Sequence, residues 1–118
     1  MDFTLTEQQE LIRKEVATLA RSFAPDYWLE KDRKAEYPWE FVRAFAEGGW
    51  LGAIVPEEYG GSGLGVTEAA LILHEICAAG AGTSGASPIH FYMFPPMPVI
   101  KHGAEALKRR VLPDIARG

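Results

Sequence analysis

An all-α fold is what this 118-residue sequence predicts. Three observations carry the prediction. Apolar residues recur at intervals of three and four along the longer segments, and no useful length alternates apolar with polar as a half-buried strand would. Helix-start and helix-stop residues, among them Thr6, Pro25, Pro38, Gly48-Gly49 and Gly80, cut the chain into helix-length pieces. About five or six helices on short links then form an orthogonal or bundle-like array, helix packed on helix.

Thr6 with Gln9 three residues on reads as a capping box, each side chain satisfying the other's free amide. Leu11, Ile12, Val16, Leu19, Ala20 and Phe23 follow at helical spacing. Glu10, Arg13, Lys14, Glu15 and Arg21 take the other side, so an amphipathic helix runs to near Pro25. Asp26 suits the cap of a short second helix through Tyr27, Trp28 and Leu29, after which Glu30 to Glu36 is charged and exposed. Pro38 suits the first position of a third helix, with Phe41, Val42 and Phe45 inward and Gly48-Gly49 at its end. From Val66 to Ala79 the chain is nearly all apolar, as in a helix buried on several sides that Gly80 and Gly82 terminate. Ser87 caps a further short helix with Pro88 first in it, broken again at Pro95-Pro96. A last stretch starts after Pro98 or Gly103 and carries Leu107, Val111 and Leu112, with Pro113 near its close.

Composition narrows the function classes. At 47% hydrophobic content a chain of this length makes one domain that buries roughly two thirds of its unfolded surface. Twelve Lys and Arg against 16 Asp and Glu leave a net charge of −4, and no single-sign run occurs, so nucleic acid is not the expected partner. Lys108, Arg109 and Arg110 read as a solvated helix face. Cys77 is the only cysteine, which rules out an internal disulfide and suits a cytoplasmic location. The opening Met1-Asp2-Phe3-Thr4 does not read as a signal peptide, and no window is apolar enough for a membrane span.

The stretch from Gly49 to Gly65, GWLGAIVPEEYGGSGLG, joins an apolar run, a proline stop and closely spaced glycines. Pro56 bars αR for the residue before it, so the segment reads as an ordered loop between two helices with a buried apolar start. It closely resembles the signature linker of acyl-CoA dehydrogenases. The resemblance extends along the chain, from Phe3-x-Leu5-Thr6-Glu7-x-Gln9 through Ile54-Val55-Pro56-Glu57-Glu58-Tyr59-Gly60-Gly61 and His74-Glu75-Ile76 to Met97-Pro98-Val99-Ile100-x-x-Gly103 and the closing Leu112-Pro113.

The resemblance implies that residues 1–118 are the N-terminal helical domain of such an enzyme. In that family a β-domain that binds FAD and a C-terminal helical bundle bearing the catalytic glutamate follow, and neither stretch is recognisable in these residues. No residue here is therefore expected to be catalytic or cofactor-binding, and the chain alone is expected neither to retain FAD nor to oxidise acyl-CoA. The family's N-terminal domain supplies one wall of the acyl pocket, which falls here at about Ala86 to Met97. Ser87, His90, Phe91, Phe94 and Met97 are the implied acyl-facing residues. With Pro88, Tyr92 and Pro95-Pro96 among them, the wall is bulkier and stiffer than in common straight-chain members, so a short, branched or cyclic acyl group is expected. The partners implied are the FAD-binding and C-terminal domains, further copies in a homo-oligomer, and an electron-transfer flavoprotein or similar acceptor. A stand-alone helical interaction module without catalysis is the alternative.

Other motifs yield plainer readings. Gly61-x-Gly63-x-Gly65 has neither dinucleotide nor Walker spacing and no strand before it, so it reads as a connector. His74, Cys77, His90 and His102 lack structural-zinc spacing. His74-Glu75 fails as a metalloprotease start because Ala78 stands where the second histidine belongs. Trp28, Trp39 and Trp50 read as core or interdomain anchors.

Overall fold

The computed structural model describes residues 2–118, and every regular element among them is helical. The helices are α1 (Glu7–Arg21), α2 (Pro25–Lys34), α3 (Trp39–Glu47), α4 (Val66–Ile76), α5 (Gly82–Met93), α6 (Met97–His102) and α7 (Glu105–Arg117).

The capping box at α1 is present. Thr6 Oγ1 accepts from the Gln9 amide at 3.2 Å, and Gln9 Oε1 accepts from the Thr6 amide at 3.0 Å. Glu68 likewise accepts from the Gly65 amide at 2.9 Å at the start of α4. Gln9 Nε2 donates to Glu68 Oε1 at 2.7 Å, so the two helix starts are welded side by side. Further along both helices Arg13 meets Glu75, which shows that α1 and α4 run in the same direction. Val16, Phe41, Phe45, Leu51, Ile72, Ile76, Ile89 and Met93 are fully buried between α1, α3, α4 and α5. Each such side chain contributes about 1.5–3 kcal/mol relative to exposure.

Four local expectations are corrected. Asp26 does not cap α2: Ala24 holds the N-cap position and Pro25, with its preset φ, starts the helix. Nor does α2 stop at Leu29. It continues through the charged stretch to Lys34, aided by the Glu30–Lys34 pair four residues apart at 2.6 Å, and Ala35 turns the chain at φ 51. Pro38 is the N-cap of α3 rather than its first residue.

The fourth correction matters for function. Ser87 and Pro88 do not open a helix but lie inside α5. The fourth helix ends at Ile76 and widens into a π turn over Cys77–Ala81, where Gly80 adopts φ 103, a conformation that side chains resist. The chain re-enters a helix at Gly82. Pro88 costs α5 one backbone hydrogen bond, and the full burial of Ile89 and Met93 on the same helix offsets that loss.

The loop from Gly49 to Gly65 is ordered, with its apolar start inside: Leu51, Ala53, Ile54, Val55 and Tyr59 are buried. It folds back on itself, Ser62 donating to the Gly52 carbonyl at 3.0 Å and Leu64 to that of Ala53 at 2.8 Å. A Cβ on Gly61 would stand 2.0 Å from the Val55 carbonyl oxygen, so no larger residue fits this crossing. Tyr59 Oη donates to Glu105 Oε2 at 2.9 Å, and Val55 and Tyr59 share a second small core with Leu112 and Ala116 of α7.

Candidate functional site

Helix α5 has two unlike faces. Gly85, Pro88, Ile89 and Met93 are buried against the core. Ser87, His90, Phe91 and Phe94 fall at positions i, i+3, i+4 and i+7, which places them along one stripe of the helix. Ser87 and His90 are exposed, Phe91 is 66% exposed, and Phe94 is half-buried at the helix end.

The stripe is continuous. The His90 ring lies edge-on to Phe91 at 5.8 Å and tilted over Phe94 at 5.4 Å between centroids. Met97 is separated from it by the Pro95-Pro96 turn and starts α6, where it packs against the core beside Phe94. The structure therefore brings together four of the five residues named above and sets the fifth at the stripe's end. Chemically the stripe is an aromatic wall with one hydroxyl and one imidazole, able to line an apolar chain.

Tyr92, counted above among the bulky residues of the wall, does not share the stripe. It lines a cleft of about 160 Å³ with Trp39, Val42, Arg43, Ala46 and Gly118. Its one-residue offset from the stripe was the available signal, since that offset turns it toward α3. Trp39 is 53% exposed, whereas Trp28 and Trp50 are half-buried against the core.

The glycine-rich loop is not a phosphate cradle, because its amides are already used. Gly61 donates to Pro56, Ser62 to Gly52, Gly63 to Val55 and Leu64 to Ala53, while Gly65 donates to Glu68. A flavin pyrophosphate does not fit here. Among the described residues no group of three or more His, Cys, Asp and Glu side chains is placed to hold a metal ion, and no helix is long and apolar enough to cross a membrane.

The family pattern described as "Acyl-CoA dehydrogenase, N-terminal domain" matches residues 6–118. The chain belongs to this family. Acyl-CoA dehydrogenase FadE12 of Mycobacterium tuberculosis is 34% identical over 119 residues, covering 98% of this chain. Acryloyl-CoA reductase (NADH) of Anaerotignum propionicum is 34% identical over 126 residues, covering all of it. The chain spans 29% of the length of each of these relatives. One similar solved structure is described as "Electron transferring flavoprotein of Acidaminococcus fermentans: Towards a mechanism of flavin-based electron bifurcation". There the match has a TM-score of 0.86 at 30% identity and covers 100% of this chain and 31% of that one. The acyl-CoA dehydrogenase N-terminal fold thus extends over nearly the whole chain.

Proposed function

We propose that this chain is the acyl-facing helical domain of an FAD-dependent acyl-CoA dehydrogenase, an enzyme of α,β-dehydrogenation. The observation that carries the proposal is the exposed aromatic stripe Ser87–His90–Phe91–Phe94, ending at Met97, on a helix whose other face is anchored in the core. Exposed aromatic rings on a rigid element suit a surface that another body covers. FAD, bound by residues outside this chain, supplies the acceptor for a hydride. The residues here line the acyl tail and keep water from it.

The stripe's bulk suits a short, branched or cyclic acyl group, and one relative is named for a short one, acryloyl-CoA. The exposed Trp39 and the adjoining Tyr92 cleft suit packing against the flavin-binding and C-terminal domains, or against another copy in a homo-oligomer. An electron-transfer flavoprotein or similar acceptor would complete the turnover. A reducing, cytoplasmic setting suits the free Cys77.

The test uses the protein expressed from its full coding region. A yellow protein that reduces an acceptor dye with acyl-CoA, and whose preferred acyl length rises in Phe91→Ala or Phe94→Ala, is the expected result. The 118-residue chain alone should be colourless and inactive. An unchanged acyl profile in both variants would remove the stripe from the pocket. A colourless, inactive full-length product would leave the stand-alone interaction module as the better reading.

A further inference from the structure

The stripe on α5 changes character along its length. Thr83, Ser87 and His90 make its N-terminal end polar, whereas Phe91, Phe94 and Met97 make the other end apolar. Ser87 and Phe94 stand roughly 10 Å apart along the helix axis.

The polar end is unpaired within the chain. Thr18 and Ser22 turn their hydroxyls back onto carbonyls of α1, at 2.9 and 2.6 Å, but neither Ser87 Oγ nor the His90 ring makes a hydrogen bond or ion pair among the described residues. Water satisfies both while they are exposed. Once an acyl group and a covering domain close over the wall, that water leaves, and a bare hydroxyl or imidazole becomes costly. A purely hydrocarbon tail would leave both groups in that state.

Charge narrows the choice of partner. Between Glu75 and Lys101 the sequence has no Asp, Glu, Lys or Arg, in a chain that is 24% charged. This wall therefore offers no fixed countercharge to a carboxylate or an ammonium on the acyl group. A neutral oxygen suits it, because a serine hydroxyl and a neutral imidazole can each both donate and accept.

Resting on the acyl-facing reading of α5, we propose that the acyl group carries a neutral oxygen, as a hydroxyl or a ketone, which pairs with Ser87 and His90 while its hydrocarbon part lies against Phe91 and Phe94. Ser87 and His90 are then the residues that set this specificity. Packing of the His90 ring against Phe91 and Phe94 holds the imidazole in place for it.

The test uses the protein expressed from its full coding region. Hexanoyl-CoA is compared with 5-hydroxyhexanoyl-CoA and 5-oxohexanoyl-CoA, and cyclohexanecarbonyl-CoA with its 4-hydroxy and 4-oxo derivatives. At least one oxygenated member should exceed its hydrocarbon parent in kcat/KM by about tenfold or more. Calorimetric binding of the matching α,β-unsaturated products, which requires no turnover, should follow the same order. In Ser87→Ala with His90→Phe the ratio should fall to near one. Both positions are exposed, so folding should survive, and circular dichroism checks that it does. No preference for oxygen in either series, or a preference unchanged in the folded double variant, would overturn the inference. If Phe91→Ala and Phe94→Ala still shift the acyl profile in that event, only the oxygen is lost. An acyl profile that no stripe variant alters, or a protein inactive with every thioester, would end the acyl-facing reading and this inference with it.

Discussion

Arg13 donates its Nε–H to Glu75 Oε1 at 2.7 Å, tying α1 to α4 around the one charged side chain that is buried among the described residues. His74 Nδ1 lies 3.5 Å from the same oxygen but is itself largely in solvent, so Arg13 is the partner that matters. A buried carboxylate stripped of its donor is costly, whereas a freed arginine swings into water. Arg13→Ala should therefore destabilise the chain more than Glu75→Gln, by about 1–3 kcal/mol. Urea unfolding of the two variants measures it, and the reverse order would contradict this account of the pair.

Acid should weaken the fold in a defined window. Four glutamates sit below their ordinary value of 4.5: Glu75 through the Arg13 guanidinium, Glu68 through the Gln9 amide, Glu30 through the Lys34 ammonium, and Glu40. Glu40 is drawn down to about 2 by its own backbone N–H, then by Lys31 and the Tyr27 hydroxyl. Between 4.5 and the lower folded values the unfolded chain binds more protons, so this stabilisation is complete above 4.5 and drains away as pH falls toward 2. Urea midpoints measured through that range should decline steadily. Glu75→Gln, which removes one of these groups, should make the decline shallower.

Gly61 and Gly80 should respond differently to the same added methyl. In Gly61→Ala the methyl meets the Val55 backbone 2.0 Å away, so a loss of about 3 kcal/mol or outright misfolding is expected. Gly80→Ala meets nothing within 4 Å and bears only the strain of φ 103, about 1–2 kcal/mol. Thermal melts of the pair distinguish a steric crossing from a conformational preference. Equal losses would mean that the loop relaxes around the clash.

Ile89 and Phe91 stand two residues apart on opposite faces of α5. Ile89→Ala should cost about 2–5 kcal/mol, because its fully buried side chain leaves a cavity. Phe91→Ala should change stability by no more than about 0.5 kcal/mol, since that ring contributes little to the core of this chain. Denaturant titration of both checks the division of labour. A large loss at Phe91 would make its ring structural rather than a wall for a ligand.

The local code of this chain is legible where a single short-range interaction decides the outcome. Thr6 and Gln9 announce the start of α1, the β-branched Ile54 and Val55 before Pro56 announce a buried loop, and Phe41, Val42 and Phe45 announce the inner face of α3. The sequence alone therefore determined the all-α class and the ordered loop with its buried apolar start. It did not determine that Ser87 and Pro88 lie inside a helix, because proline's local penalty points the other way and only burial of Ile89 and Met93 outweighs it. Nor did it show the partnership of Gln9 with Glu68 and of Arg13 with Glu75. Those arise between segments distant in the chain, and no local propensity specifies where two helices will touch until the core has packed them together.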